Sequence, residues 1–406
     1  MNTSLFIAKR LYNAKENNNS YTRPIIRIAI LAVALSVSIM LLSVFILSGF
    51  KAEISDKVFG FGGHVSVTKF SYNQSYENDP INYSNEIVSK IELIDDVENI
   101  QQFATKAGII KKEEEILGVI IKGVGQDYNW RFFEKNLVFG ELPIYDSVTS
   151  NKVLISENIS KKMKLEIGDD LVMYFVQKPT RVRKFIISGI YKTGLTEFDE
   201  ITVLADIKHI QKLNNWNNNQ IGGYEVLLSN IDNLQYNSEL IDETIDFDLK
   251  AISIKDKYPQ IFDWLRLQDF NVLIILILML IVGGVNMITS LLIIILEKSR
   301  LIGVLKAIGA TNWDIRKIFI YNSLYIISSG LLFGNLIALS FSIAQKYFNL
   351  IKLDENIYFM SYVPIKIEFL SLLLINFGTI IICYLILVIP SVVISKISPA
   401  KSIKFE

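Results

Sequence analysis

The chain has one cysteine, two histidines and eight prolines in 406 residues. A single thiol forms no internal disulfide, and Cys383 sits inside an apolar stretch, so neither a disulfide framework nor a lipid-modified leader cysteine is expected. His64 and His209 have no neighbour at metal-ligand spacing, which argues against a histidine-built metal site. No G-x-x-x-x-G-K-[ST] occurs anywhere, so the chain does not cradle a nucleotide phosphate by the P-loop mechanism. Gly60-Phe61-Gly62-Gly63 lacks the lysine and the helix that such a loop needs. Leu47-Ser48-Gly49-Phe50 resembles half of a nucleotide-sensing signature but stands at the edge of an apolar run. No Ser/His/Asp constellation is present, so no catalytic residue is expected.

The most informative absence is of charge. Residues 28–50, 270–296, 318–345 and 369–395 hold no Asp, Glu, Lys or Arg; the runs are 23, 27, 28 and 27 residues long. At about 1.5 Å per helical residue each exceeds the ~30 Å hydrocarbon core of a bilayer. Four membrane helices are therefore predicted, with a long polar stretch between the first and the second. Ionisable residues inside spans mark ion or proton paths, and their absence argues against ion-coupled transport. Asn286, Thr289, Ser290, Ser328, Ser329, Asn335 and Asn376 are polar and uncharged; they read as helix–helix hydrogen-bonding groups.

The net charge of zero conceals an asymmetry. Residues 51–270 carry 25 Lys+Arg against 34 Asp+Glu, and the remainder carries 16 against 7. An acidic domain argues against nucleic acid. Segments 1–27, 297–317 and 396–406 hold five, five and three Lys/Arg, whereas 346–368 holds three. The positive-inside rule then puts both termini and the 297–317 loop in the cytoplasm, and the large domain outside. The first run is long for a signal peptide and lacks a small-x-small site, so it reads as an uncleaved anchor.

The predicted fold is an α-helical membrane protein with four transmembrane helices plus a large α+β periplasmic domain between helices 1 and 2. Its segments are 1–24 (interfacial helix), 25–50 (helix 1), 51–269 (outer domain), 270–296 (helix 2), 297–317 (inner loop), 318–345 (helix 3), 346–368 (outer loop), 369–395 (helix 4) and 396–406 (tail). Residues 3–16 place Leu5, Phe6, Ala8 and Leu11 at helical spacing beside Lys9, Arg10 and Lys15, the pattern of a helix lying on the inner membrane surface or of a basic tail. In the outer domain, 65–68, 116–121, 171–176, 184–190, 201–204 and 224–228 are rich in β-branched residues and predict strands; 83–91 and 206–213 predict helices.

The inner loop carries the strongest pattern. Leu301, Val304, Leu305 and Ile308 recur at i, i+3, i+4 and i+7, predicting a short amphipathic helix. Gly309 suits the position just past its end, and Thr311-Asn312 starts the next helix. By these residues alone the segment is a projecting helical element or an ordinary basic loop. From Glu297 to Ile315, however, it fits the pattern E-x-x-x-x-I-G-x-L-x-A-x-G-A-x-x-x-x-I, and it resembles the cytoplasmic loop of the ABC permease superfamily that includes macrolide exporters, the cell-division permease and the lipoprotein-releasing permeases. Further stretches resemble the lipoprotein-releasing branch: Phe6–Leu11, Ser48–Ile54, Val285–Leu291, Ile155–Glu157 through Ile167–Asp169, Gly189–Tyr191 through Asp199, and Pro399–Lys404.

The resemblance implies a membrane subunit that is not itself an enzyme. A separate ATPase dimer binds ATP and Mg and docks on the inner loop through Glu297, Gly303, Lys306, Ala307, Gly309, Ala310 and Trp313. A second permease copy or a paralogue completes the assembly. A lipoprotein would be held between helices 1 and 2, lined by Met40, Leu41, Val44, Phe45, Ser48 and Phe50 with Phe270, Leu273, Ile274 and Ile277; each of these also reads as an ordinary packing or lipid-facing residue. In family members that recruit a periplasmic carrier chaperone, a hairpin between two outer strands does so. The matching stretch here, Val176–Arg183, is shorter, and Lys178, Pro179, Arg181 and Arg183 are its candidate docking residues. Two other readings stay open: a cell-division-type permease that signals to wall hydrolases without moving a substrate, and a non-ABC receptor with a ligand-binding outer domain.

Overall fold

The computed structural model describes residues 22–71 and 75–391; the segments 3–16 and 396–406 lie outside them. The chain divides into two compact units. One holds the described residues up to Ala52, Trp264–Lys352 and the described residues from Val363 on; the other holds Glu53–Asp263 and Leu353–Tyr362.

The first apolar run lies in α1 (Thr22–Gly62), which continues well past it. Gly63 ends this helix with a φ of +69°, its N–H donating to the Phe59 carbonyl at 2.8 Å. A left-handed glycine here satisfies a carbonyl that the helix end would leave open. There follow β1 (Val65–Lys69), β2 (Ile81–Asn82), α2 (Asn85–Glu92), β3 (Val97–Lys112), β4 (Glu115–Val124), α3 (Arg131–Lys135), β5 (Leu137–Gly140), β6 (Lys152–Ser156), α4 (Glu157–Met163), β7 (Asp170–Phe175), β8 (Arg181–Tyr191), α5 (Thr196–Asp199), β9 (Thr202–Asp206), α6 (Ile207–Leu213), β10 (Gln220–Ile221), β11 (Gly223–Leu228), α7 (Leu234–Thr244), β12 (Leu249–Ser253) and α8 (Ile254–Lys257).

The main sheet runs β12-β1-β11-β3-β4-β9-β6-β8-β5, and β7 pairs with both β3 and β8. Strands β3, β4, β9, β6, β8 and β7 therefore form a closed circuit. The two-residue alternation of strands buries Leu171, Met173 and Phe175 of β7 with Phe185 and Ile187 of β8, and Val119 and Ile121 of β4. The β4–β9 and β6–β8 pairs are parallel and the other pairs antiparallel, so this is a mixed α/β sheet. All six predicted strands and both predicted helices are present. The longest strand, β3, was not predicted, because its polar residues are satisfied across the fold rather than exposed. Gln101 donates to Glu225 at 2.9 Å, and Lys106 pairs with Glu77 at 3.2 Å. Glu225 also pairs with Lys122 at 2.7 Å, with both side chains almost wholly buried.

The helical unit combines the early part of α1 with most of α9 (Pro259–Glu297), then α10 (Ser299–Ala307), α11 (Asn312–Phe348) and α13 (Phe369–Ser391); the short α12 (Glu355–Tyr358) belongs to the other unit. Among the described residues, four helices are long and apolar enough to cross a membrane. Apolarity alone does not drive helices together in lipid; close backbone approach and hydrogen bonds do. Gly330 and Gly334 of α11, four apart, press directly on Val33 and Val37 of α1, where any side chain would collide. Gly284 of α9 receives Ile386 of α13 in the same way. Asn335 and Asn376 join α11 to α13 through their amides. Lys51 and Asp269, the charges that bound the first two runs, pair at 2.5 Å.

Candidate functional site

The 297–317 loop folds as two helix ends joined by a tight turn. Gly309 takes a φ of +96°, and the Ala310 N–H returns to the Leu305 carbonyl at 3.0 Å. Thr311 then caps α11: its hydroxyl accepts the Asp314 N–H at 3.2 Å and donates to the Asp314 carboxylate at 2.6 Å. Two caps back to back fix the angle between α10 and α11. Inside the turn, Ile302 is fully buried in one cluster with Ile315 and Phe319.

The predicted apolar stripe does not lie wholly inward. Ile302, outside the stripe, is the anchor, while Val304 and Ile308 stand 43% and 76% exposed, and Trp313 in the first turn of α11 is 56% exposed. A nine-residue helix has room to bury only one narrow face against α11, so the rest of its apolar surface is left over. Of the seven residues expected to couple, Ala307, Gly309 and Trp313 are exposed, Gly303 is buried, and Glu297, Lys306 and Ala310 are half-buried. Val304 and Ile308 lie outside that set, and their place in an apolar stripe on a helix too short to bury it is the sequence signal for their exposure. The Lys317 ammonium sits 5.7 Å from the Trp313 ring, holding the indole over the basic end of α11.

The ten residues expected to line a cavity split into two groups. Phe270, Leu273, Ile274 and Ile277 are each about half exposed and form one continuous face of α9 with Leu278, Ile281 and Val285. On α1, Met40, Leu41 and Phe45 are buried in the chain's own core against α9, α11 and α13. In this chain these three pack against its own helices. Val44, Ser48 and Phe50 are half-buried.

In the β7–β8 hairpin, Lys178 and Pro179 are exposed, but Arg181 is not a free cation. Its guanidinium donates to the Lys212 carbonyl at 2.6 Å, the Leu213 carbonyl at 2.9 Å and the Asn215 side chain at 2.7 Å. It closes the C-terminus of α6, where carbonyls lack helical partners. Arg183 bonds the Val182 carbonyl at 3.2 Å, and Lys184 pairs with Asp170. Tyr174 and Val182, opposite one another, and Val176 and Ile186 expose an apolar outer face on this hairpin.

Residues 273–399, which hold the turn between α10 and α11, match the FtsX-like permease C-terminal family. The chain is 26% identical over 405 residues, 95% of each chain, to the lipoprotein-releasing system transmembrane protein LolC of Buchnera aphidicola subsp. Schizaphis graminum (strain Sg). It is 20% identical over 446 residues, 99% of each chain, to LolE of Haemophilus influenzae. A solved structure, the periplasmic region of MacB from Actinobacillus actinomycetemcomitans, aligns with 51% of this chain and 95% of its own length at 13% identity and a TM-score of 0.35. Its four apolar helices and its similarity to proteins named as transmembrane proteins fit this chain to a multi-pass membrane protein.

Proposed function

We propose that this permease extracts lipoproteins from the outer leaflet of the inner membrane for transfer toward the outer membrane, driven by a separate ATPase. The observation that carries the ABC part is the exposed apolar knob of Val304, Ile308 and Trp313 on a turn fixed by two caps. Such a knob seats in a partner's cleft and transmits its motion as a rigid body. In this reading both termini and the knob are cytoplasmic, and the ATPase binds the ATP and Mg. The lipoprotein part rests on similarity along nearly the whole chain to relatives named for lipoprotein release. The half-exposed face of α9, from Phe270 to Ile277, supplies apolar surface suited to acyl chains, which need no directional hydrogen bonds. A second copy or a paralogue would close the cavity. The exposed apolar face of the β7–β8 hairpin, with Lys178 beside it, is the candidate docking surface for a carrier chaperone.

The test is to purify the full chain with the ATPase encoded nearest to its gene, without nucleotide, and to identify what copurifies. Triacylated lipoproteins that leave on adding ATP and Mg support release. An ATPase with a wall hydrolase and no lipoprotein would replace release by signalling, and absence of any ATPase would remove the ABC reading.

A further inference from the structure

The ten residues Leu353–Tyr362 belong to the α/β unit, although the chain on both sides of them belongs to the helical unit. Their seat is built in advance. The Asp199 carboxylate accepts the Thr193 N–H at 3.1 Å, the Gly194 N–H at 2.9 Å and the Thr193 hydroxyl at 2.8 Å, shaping the turn after β8. Gly194 takes a φ of +77°, and a side chain there would reach the Phe359 carbonyl. Two clips hold the segment on this seat. The almost fully buried Lys57 donates to the Phe359 carbonyl at 2.9 Å. Lys192 pairs with Glu355 at 2.7 Å and so holds its carboxyl below the usual range. Ser361 also bonds Glu355, and the Leu353 N–H reaches the Ser361 carbonyl at 3.0 Å.

The stems of the segment are closed separately, within the helical unit. Gln345, near the end of α11 and 1% exposed, donates to the carbonyls of Ile351 (3.2 Å) and Val363 (3.1 Å) and accepts the Ile351 N–H at 2.9 Å. The Val363 N–H donates to Ile351 at 3.1 Å. Stems fastened to each other and to α11 do not spread when pulled. Displacement of α11 therefore either reaches the seat through the segment or breaks the clips.

We propose that Leu353–Tyr362 is a strap, clipped by Lys57 and Lys192, that hands displacement of α11 to the α/β domain. The inference rests on the permease reading above. Lys57 and Lys192 act as positioning residues, and the domain receives the motion of α11 as well as that of α1 and α9, with which it is continuous in sequence.

Hydrogen exchange on the full chain in detergent reads the clips without transport. In Lys57→Met, the amides of 355–361 should exchange about tenfold faster, and Lys57→Arg, which keeps the donor, should restore most of the protection. Lys192→Met and Glu355→Gln should each accelerate exchange several-fold, with the double variant no faster than the faster single one. Amides of β8 should not change. Unaltered protection in the single variants would overturn the clips. In proteoliposomes with the partner ATPase, Lys57→Met should reduce ATP-driven lipoprotein release about tenfold with ATPase binding retained; a loosened strap with undiminished release would overturn the coupling role. A wild-type chain that binds no ATPase would instead defeat the permease reading, and the coupling role with it, while the exchange result on the clips would stand.

Discussion

Asn335 and Asn376 hold each other by both ends of their amides, at 2.7 and 2.9 Å, and each donates its remaining hydrogen to the carbonyl four residues back. Between two membrane helices this pair has no water to fall back on. Asn335→Leu or Asn376→Leu alone strands the partner, at an expected cost of about 1–2 kcal/mol. Replacing both should cost less than the sum, with a coupling of about 0.5–1.5 kcal/mol. Unfolding of the full chain in mixed micelles measures the cycle; strictly additive costs would mean the pair contributes nothing.

That pair shows what was legible in advance. Uncharged polar residues in an apolar run already read as helix–helix hydrogen bonds, but nothing in a one-dimensional pattern says that Asn335 meets Asn376. The apolar runs, the caps at Gly309 and Thr311 and the β-branched strands were legible because each depends on neighbours in sequence. β3 was not, since Gln101 and Lys106 are satisfied by Glu225 and Glu77, far away in the chain. Gly330 and Gly334 stand at the spacing that lets helices touch, yet their target on α1 is a tertiary fact. Arg181 shows the same limit: a cation in a hairpin suggests a docking surface, and its partners within this chain are the carbonyls of a helix end.

The Lys122–Glu225 pair should behave as a buried ion pair, although the Phe61 carbonyl also takes the ammonium and Lys257 also acts on the carboxylate. Both side chains are under one-tenth exposed, and Gln101 fills a second lone pair of Glu225. Lys122→Met takes from the buried carboxylate its direct ion-pair partner, leaving Gln101 and the charge of Lys257, and should destabilise the chain by up to about 3–5 kcal/mol. Lys122→Met/Glu225→Gln removes the stranded charge and should recover part of that loss. Thermal unfolding of the two variants decides; a double variant less stable than Lys122→Met would contradict it.

His64 should make stability depend on pH. Its Nδ1 accepts the Leu228 N–H at 2.9 Å, and its ring lies 4.6 Å from that of Phe59. Burial lowers its pKa to about 4, so the folded chain keeps it neutral where the unfolded chain, near 6.5, already binds a proton. Its contribution is therefore complete above pH 6.5 and is lost as pH falls toward 4. Between pH 7 and pH 5 the loss should be about 1–2 kcal/mol. His64→Asn keeps an acceptor but does not titrate. It should lose less stability over the same interval, and parallel pH profiles would exclude His64 as the cause.

The inner knob yields the sharpest separation of folding from partnership. Ile308 is three-quarters exposed and lies outside the apolar cluster that anchors α10, so Ile308→Asp should leave the unfolding midpoint within error. If the knob fills a cleft on an ATPase, a carboxylate placed there is desolvated without a partner, and binding should fall by at least about 30-fold, the loss expected of a hot spot worth 2 kcal/mol. Trp313→Ala should weaken binding in the same direction, since the indole is exposed and held by Lys317 rather than by the core. Gly309→Ala works differently. Nothing lies within 4 Å of the added carbon, and the cost is the left-handed backbone, about 1–2 kcal/mol. It should therefore lower stability modestly while leaving the apolar contacts in place. Copurification of each full-length variant with the ATPase separates these effects. Ile308→Asp that folds and still retains the ATPase would show that the knob faces something other than an ATPase, such as lipid headgroups.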